Sequence, residues 1–178
     1  MCPSPDVEAP IDFSRCGGTR IRARTSRRLA MAASVVAALL FSGCASAPKP
    51  TVVSATLLAT ATVNPDAHKR PSPLVVRVYE LKSAAAFDAA DFVSLFERDQ
   101  ATLAAEMASR EEFVLRPGET RLWEKTVGPD SRFIGVMAAF RDIERARWKT
   151  IVAIKPNVKN VVTIQASEIS VTAKVVPQ

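Results

Sequence analysis

Residues 52–178 of this sequence predict a mainly β protein, a two-sheet β-sandwich interrupted by one small helical insertion. Eight segments of four to thirteen residues are rich in Val, Thr, Ile and aromatic side chains, a composition suited to pleated, half-buried surfaces. Turn signals separate several of them: Arg116-Pro117-Gly118, Gly128-Pro129-Asp130, Pro156-Asn157 and Ser167-Glu168. One stretch, residues 83–110, switches to helical spacing. Short strands at this spacing indicate a sandwich rather than a parallel α/β sheet.

Thr51 to Val63, free of Gly and Pro, reads as the first strand, and Leu74 to Leu81 as the second, with partial alternation. In the insertion Phe87 falls in a turn. Asp91 is placed to cap a helix carrying Phe92, Leu95 and Phe96, and Asp99 to cap a second one with Leu103 and Met107 on one face. Further strands are expected at Glu112–Leu115, Arg121–Val127, Phe133–Phe140, Trp148–Ile154, Val161–Ala166 and Ile169–Val176. The expected core includes Val76, Val78, Phe96, Leu103, Val136, Ala138 and Phe140. Trp123, Phe133 and Trp148 also read as core, because aromatic side chains on strands usually are.

The beginning of the chain has a different character. Arg20, Arg22, Arg24, Arg27 and Arg28 precede an apolar stretch of 13 residues from Leu29 to Phe41, closed by Ser42-Gly43-Cys44. A basic segment, a short apolar segment and small residues before a cut form a bacterial export signal, and about 20 apolar residues would be needed to span a bilayer. A cysteine after the cut is what lipoprotein processing requires, so Cys44 is the expected lipidation site. Phe41 stands where such signals usually carry Leu, and a secretory signal with a chance cysteine or an uncleaved anchor are the alternatives. Ser26-Arg27-Arg28 resembles a twin-arginine start without the rest of that pattern, which favours Sec export. Met1 to Thr19 fits either a long basic segment or a non-native extension from a misassigned start codon. The expected organisation is a signal at 1–43, a lipidated tether at 44–51 and one domain at 52–178. Ala45, in place of Asp after the cysteine, points to the outer membrane where the proteobacterial sorting rule applies.

Composition narrows the function. The formal charge is +6, but the first 43 residues hold six Arg against three acidic residues, leaving +3 over the remaining 135. Those charges are interspersed, unlike the basic face of a nucleic-acid binder. Beyond the signal only Cys44 remains, so neither a disulfide nor a thiolate metal site is expected, and no cofactor other than the covalent lipid. His68 is the sole histidine. A hydrolytic triad would need it as base, yet it lies in a Pro-flanked basic stretch with only Asp66 nearby. Asp88 and Asp91 read as caps or turns, and Glu111, Glu112, Asp142 and Glu144 as solvated loop charges. No enzymatic activity is expected.

The segment Asn64-Pro65-Asp66-Ala67-His68-Lys69-Arg70-Pro71-Ser72-Pro73 joins two strong strand candidates through ten residues, where hairpin loops commonly take two to five. Pro65 cannot donate to a ladder, and Pro71 and Pro73 hold the re-entering chain extended. Long loops on a rigid β scaffold often carry binding; a solvated connection is the other reading.

Taken in order, these residues resemble the TssJ lipoprotein family of the bacterial type VI secretion system. The resemblance runs from the signal and a strand ending at Asn64, through Arg70-Pro71-Ser72-Pro73 and Leu74 to Leu81. It continues through Phe87, Ala90-Asp91-Phe92, Leu95-Phe96-Glu97, Asp99 and Leu103, then Glu112, Leu115, Pro117-Gly118, Gly135 to Asp142 and Trp148. It implies a transthyretin-like two-sheet β-sandwich with extra helices, anchored in the outer membrane and facing the periplasm. It also implies a multi-subunit membrane complex and a partner, the periplasmic C-terminal domain of TssM, a large inner-membrane protein. The family's binding loop maps onto Asn64, Pro65, Asp66, Ala67, His68, Lys69 and Arg70. A glycan- or peptidoglycan-binding sandwich is the alternative, favoured if Trp123 and Trp148 are exposed. A transthyretin-like periplasmic enzyme is a further class, disfavoured by the single histidine.

Overall fold

Strand β2 (Leu74–Leu81) is buried on both faces, and this sets the layering of the protein. The computed structural model describes residues 48–177; the export signal and Cys44 lie outside the described residues. Leu74, Val76 and Val78 point between two sheets, whereas Tyr79 and Leu81 point away from them into a layer of helices.

Among the described residues the other strands are β1 (Thr51–Ala59), β3 (Met107–Leu115), β4 (Thr120–Val127), β5 (Phe133–Ala139), β6 (Lys149–Ala153), β7 (Lys159–Ala166) and β8 (Val171–Val176). One sheet has the order β4-β1-β7-β8 and the other β3-β2-β5-β6. Among the strand ladders of the described residues only β1–β7 is parallel, with Val52 opposite Lys159 and Ala59 opposite Ala166. β1 alternates strictly, turning Val53, Ala55 and Leu57 inward against Val76, Val136 and Ile164. Each buried Val, Leu or Ile side chain among them contributes roughly 1.5–3 kcal/mol. The mainly β, two-sheet architecture with a small helical insertion is the one the sequence predicts.

The insertion forms α1 (Ala85–Ala89), α2 (Phe92–Leu103) and a 3₁₀ turn at Ala104–Glu106. Phe87, Leu95 and Leu103 pack on Tyr79, Leu81 and Met137 across the outer face of the second sheet. Asp91 caps α2 as expected, accepting the Ser94 amide at 2.9 Å. Lys149 donates to the carbonyls of Phe87, Asp88 and Ala90 at the end of α1, and burial pulls its pKa down. A β-carbon on Gly135 would lie 2.9 Å from a Leu81 methyl and 3.0 Å from the Phe87 ring. The absent side chain lets α1 approach the sheet.

Several boundaries and environments depart from the sequence reading. β1 ends at Ala59, not Val63 or Asn64, and therefore before Pro65. Its neighbours run out there: β4 begins opposite Leu58 and β7 ends opposite Ala59. Thr51, assigned to the tether, is already buried and paired with Val127. β3 starts at Met107, so Met107 lies on a strand and the helical insertion stops short of residue 110. Phe87 is in α1 rather than a turn. Phe96 is 38% exposed rather than core; it stacks on Phe92 and under the Arg77 guanidinium at 4.7 Å. Phe140 is buried but lies just beyond β5.

Two buried carboxylates organise what the apolar pattern does not. α2 loses helical geometry at Arg98 (φ −137°, ψ 35°), and Asp99 follows. Its carboxylate accepts the Gln100 amide at 2.8 Å and the Tyr79 hydroxyl at 3.3 Å, and it pairs with Arg110. Arg77 lies 3.8 Å from Asp99 and donates to Glu112 at 2.7 Å, so Glu112 is an ion-paired strand residue and not a loop charge. Burial pushes the Tyr79 phenol up to about 12. Glu80 accepts the Ser131 hydroxyl at 2.6 Å, the Gly128 amide at 2.7 Å and the Ser109 hydroxyl at 2.7 Å. Lys125 stands 3.7 Å from it. Burial raises the Glu80 pKa, but these donors outweigh it and hold the carboxyl below its ordinary range.

Candidate functional site

The β1–β2 connection is built around Asn64. After Ala59 the chain turns, with the Val63 amide donating to the Thr60 carbonyl at 3.2 Å. Val63 is buried in the sandwich core. Asn64 is buried too, at φ +50°, a left-handed conformation that Asn tolerates better than most residues. Its amide donates to the Glu168 carbonyl at 2.9 Å. Its side chain donates to the Pro73 carbonyl at 2.9 Å and accepts the Arg141 amide at 2.8 Å. One residue thus joins the β1–β2, β5–β6 and β7–β8 connections.

Asp66 closes the loop on itself. One carboxylate oxygen accepts the amides of His68 at 2.8 Å and Arg70 at 3.0 Å. The other takes the Arg70 Nε at 2.8 Å, with Nη2 at 2.7 Å. The Arg70 amide, then its guanidinium, hold the Asp66 carboxyl below the usual range. Lys69 adopts φ +61° at the tip. Asn64 and Asp66 therefore shape the loop. Ala67, His68, Lys69 and Arg70 are exposed.

The loop forms one wall of a groove of about 1080 Å³. Pro65, Asp66, Ala67 and Lys69 face residues 141–145 across it, and Glu168 and Ile169 close one side. Asp142 pairs with Arg145, whose side chain holds its carboxyl below the usual range, so Asp142 is not a free loop charge. The sequence does not single out residues 141–145 as a second wall beside this loop, although Gly135 to Asp142 carries part of the family resemblance. The groove offers charges of both signs beside the partly exposed Ile169, which suits a folded protein surface.

His68 meets Asp66 only through its backbone amide. Among the described residues no three His, Cys, Asp or Glu side chains cluster as metal ligands. Trp123 and Trp148 are partly buried against the core. The Trp123 indole donates to Glu111 at 2.8 Å and meets Phe113 edge-on, and Trp148 meets Phe92 edge-on. Glu111 is accordingly a strand residue holding an indole, not a solvated loop charge.

Comparison with known proteins supplies the context. The family model T6SS-SciN, described as type VI secretion lipoprotein, VasD, EvfM, TssJ, matches residues 51–169. Among solved structures, the T6SS lipoprotein TssJ1 from Pseudomonas aeruginosa is 34% identical with a TM-score of 0.70, over 72% of this chain and 98% of that chain. Serratia marcescens Lip, a membrane bound component of the type VI secretion system, is 26% identical with a TM-score of 0.65, over 72% and 98%. A chain in the structure of the T6SS protein TssM C-terminal domain from EAEC is 27% identical with a TM-score of 0.57, over 68% and 99%. No curated protein matches.

Proposed function

The chain belongs to the type VI secretion lipoprotein family, and from that premise we propose that it ties the membrane complex to the outer membrane by binding a TssM-like inner-membrane protein. The family is a structural component of the secretion system's membrane complex. In the finer reading, acyl chains on Cys44 hold the outer-membrane end and the groove beside Asn64 to Arg70 receives the periplasmic C-terminal domain of the partner. The observation that carries it is the single hydrogen-bonded node at Asn64, which holds three loops around one groove. The likeness to a chain in a TssM C-terminal domain structure supports the same partner.

Location then performs the task without turnover. Three acyl chains add their buried methylenes at about 0.8 kcal/mol each, making release from the membrane very slow. Anchoring also raises the effective concentration of the groove near its partner. The partly buried tryptophans favour this scaffold reading over a glycan platform. Calorimetry between the processed protein and a purified TssM C-terminal domain tests it. Saturable binding that weakens when the loop tip and Arg145 are replaced supports it, and absence of binding rejects it.

A further inference from the structure

The opposite end of the sandwich carries a second surface, and we infer that it lies against the phosphate headgroups of the bilayer that holds the anchor. This rests on the proposed acylation of Cys44. Six residues lie between Cys44 and Thr51, so the seven Cα–Cα steps reach about 25 Å at full extension. β1 begins at Thr51 and carries the chain toward the groove end over nine residues, about 30 Å. The end where β1 starts is therefore the one kept nearest the lipid, and the groove lies at the other.

The chemistry of that near end fits a phosphate-bearing surface. The loops after β4 and β6 close it, tied together where the Arg132 amide donates to the Leu81 carbonyl and the Ile154 amide to the Arg132 carbonyl, both at 2.9 Å. This linkage gathers exposed Lys82, Arg132 and Lys155 from three segments. None of the three forms an ion pair among the described residues. The acids nearby include Asp130, Glu124 and Glu106. Glu124 is taken by Lys159 at 2.8 Å, and Glu106, whose carbonyl accepts the Lys82 amide, accepts the Ala86 amide on its carboxylate at 3.0 Å. Val158 is 45% exposed at the start of β1, where its carbonyl accepts the Val52 amide, and Val176 is 43% exposed at the end of β8. The Arg132 side chain donates only to the Pro129 and Ser131 carbonyls. Cations without an acidic partner among the described residues, set around exposed aliphatic side chains, suit an interface in which charges meet phosphates and small apolar groups enter the headgroup layer.

The test uses the full acylated protein in vesicles. Cys44 is the only cysteine after the signal and its thiol carries lipid, so Val158→Cys supplies a single labelling site. Arg116→Cys, on the turn whose Gly118 amide donates to the Thr60 carbonyl, supplies a reference at the groove end. Each is labelled with a fluorophore and mixed with phosphatidylglycerol–phosphatidylcholine vesicles bearing headgroup spin labels. Quenching at position 158 should exceed that at 116 at least twofold. Adding Lys82→Glu and Lys155→Glu should abolish the difference while flotation with the vesicles persists. Equal quenching at both positions, or a difference unaffected by charge reversal, overturns the orientation while leaving anchoring intact. Failure to float with vesicles overturns the anchoring reading and this inference together.

Discussion

The side chain of Asn64 accepts the backbone amide of Arg141 across 77 residues of sequence, at 2.8 Å. The bond fixes the two walls of the groove against each other, and the same side chain donates to Pro73 at the entry to β2. Replacing it tests the node directly. Asn64→Ala leaves the Arg141 amide and the Pro73 carbonyl unpaired and puts a β-branch-free but strained residue at φ +50°. The expected loss is about 2–4 kcal/mol in chemical denaturation. Asn64→Asp keeps the acceptor and loses the donor, and should fall between the two. A variant as stable as the parent would show that the node does not hold the loops.

The loop tip should separate from folding. Replacing Ala67-His68-Lys69 with Gly-Ser-Gly leaves Asp66 and Arg70 to close the loop, and Gly suits the left-handed position now held by Lys69. The melting curve should be nearly unchanged. Affinity for a TssM C-terminal domain should fall at least tenfold, about 1.4 kcal/mol. Full affinity in matched salt would move the contact away from this wall.

Gly135 marks where α1 meets the sheet. Alanine normally suits a strand better than glycine, but here its methyl would meet Leu81 and the Phe87 ring at 2.9–3.0 Å. Gly135→Ala should destabilise by about 1 kcal/mol and Gly135→Val by about 3 kcal/mol. A rise in melting temperature for the alanine variant would mean that the helix layer yields freely.

Glu80 should set part of the acid sensitivity. Its pKa is held below the ordinary 4.5 in the folded protein, so the folded state binds fewer protons than the unfolded one. The contribution is complete above pH 4.5 and is lost as the pH falls through the folded value. Glu80→Gln should cost about 2–3 kcal/mol at neutral pH and flatten the fall in stability below pH 4.5. An unchanged acid limb, measured by denaturation at several pH values, would assign that limb to other carboxylates.

Cys44→Ser removes the thiol that would be alkylated. Loss of a metabolic fatty-acid label and of lipoprotein-type cleavage is expected, with protein failing to reach the outer membrane. If the parent takes up no label, the lipoprotein assignment of Cys44 is wrong.

How far the sequence disclosed these features depended on whether a signal was local. β2 was legible residue for residue because Leu74 to Leu81 combines β-branched side chains with proline entry. The first half of β3 was not, since Met107-Ala108-Ser109-Arg110 has no β-branched residue and is held by pairing with β2. Thr60 to Val63 looks like continued strand, but β1 stops where its two neighbours end. Phe96 sits at helical spacing from Phe92, yet the Arg77 guanidinium covers its ring. In the site, the long loop was visible from its prolines. The roles of Asn64 and Asp66 were not, because Asn64 bonds backbone groups far along the chain and Asp66 combines the His68 and Arg70 amides with the Arg70 guanidinium. Glu80 gave no local sign: its hydroxyl and amide donors lie 29 to 51 residues away.

The central position of β1 has a mechanical consequence. If the tether pulls at Thr51 while a partner holds the loops beyond Ala59, tension runs along β1 itself. Its ladders to β4 on one side and to β7 on the other lie perpendicular or slanted to that line. Such a load shears many hydrogen bonds at once instead of peeling them singly from an edge. The strand that joins anchor to groove is thus seated to bear tension without unravelling.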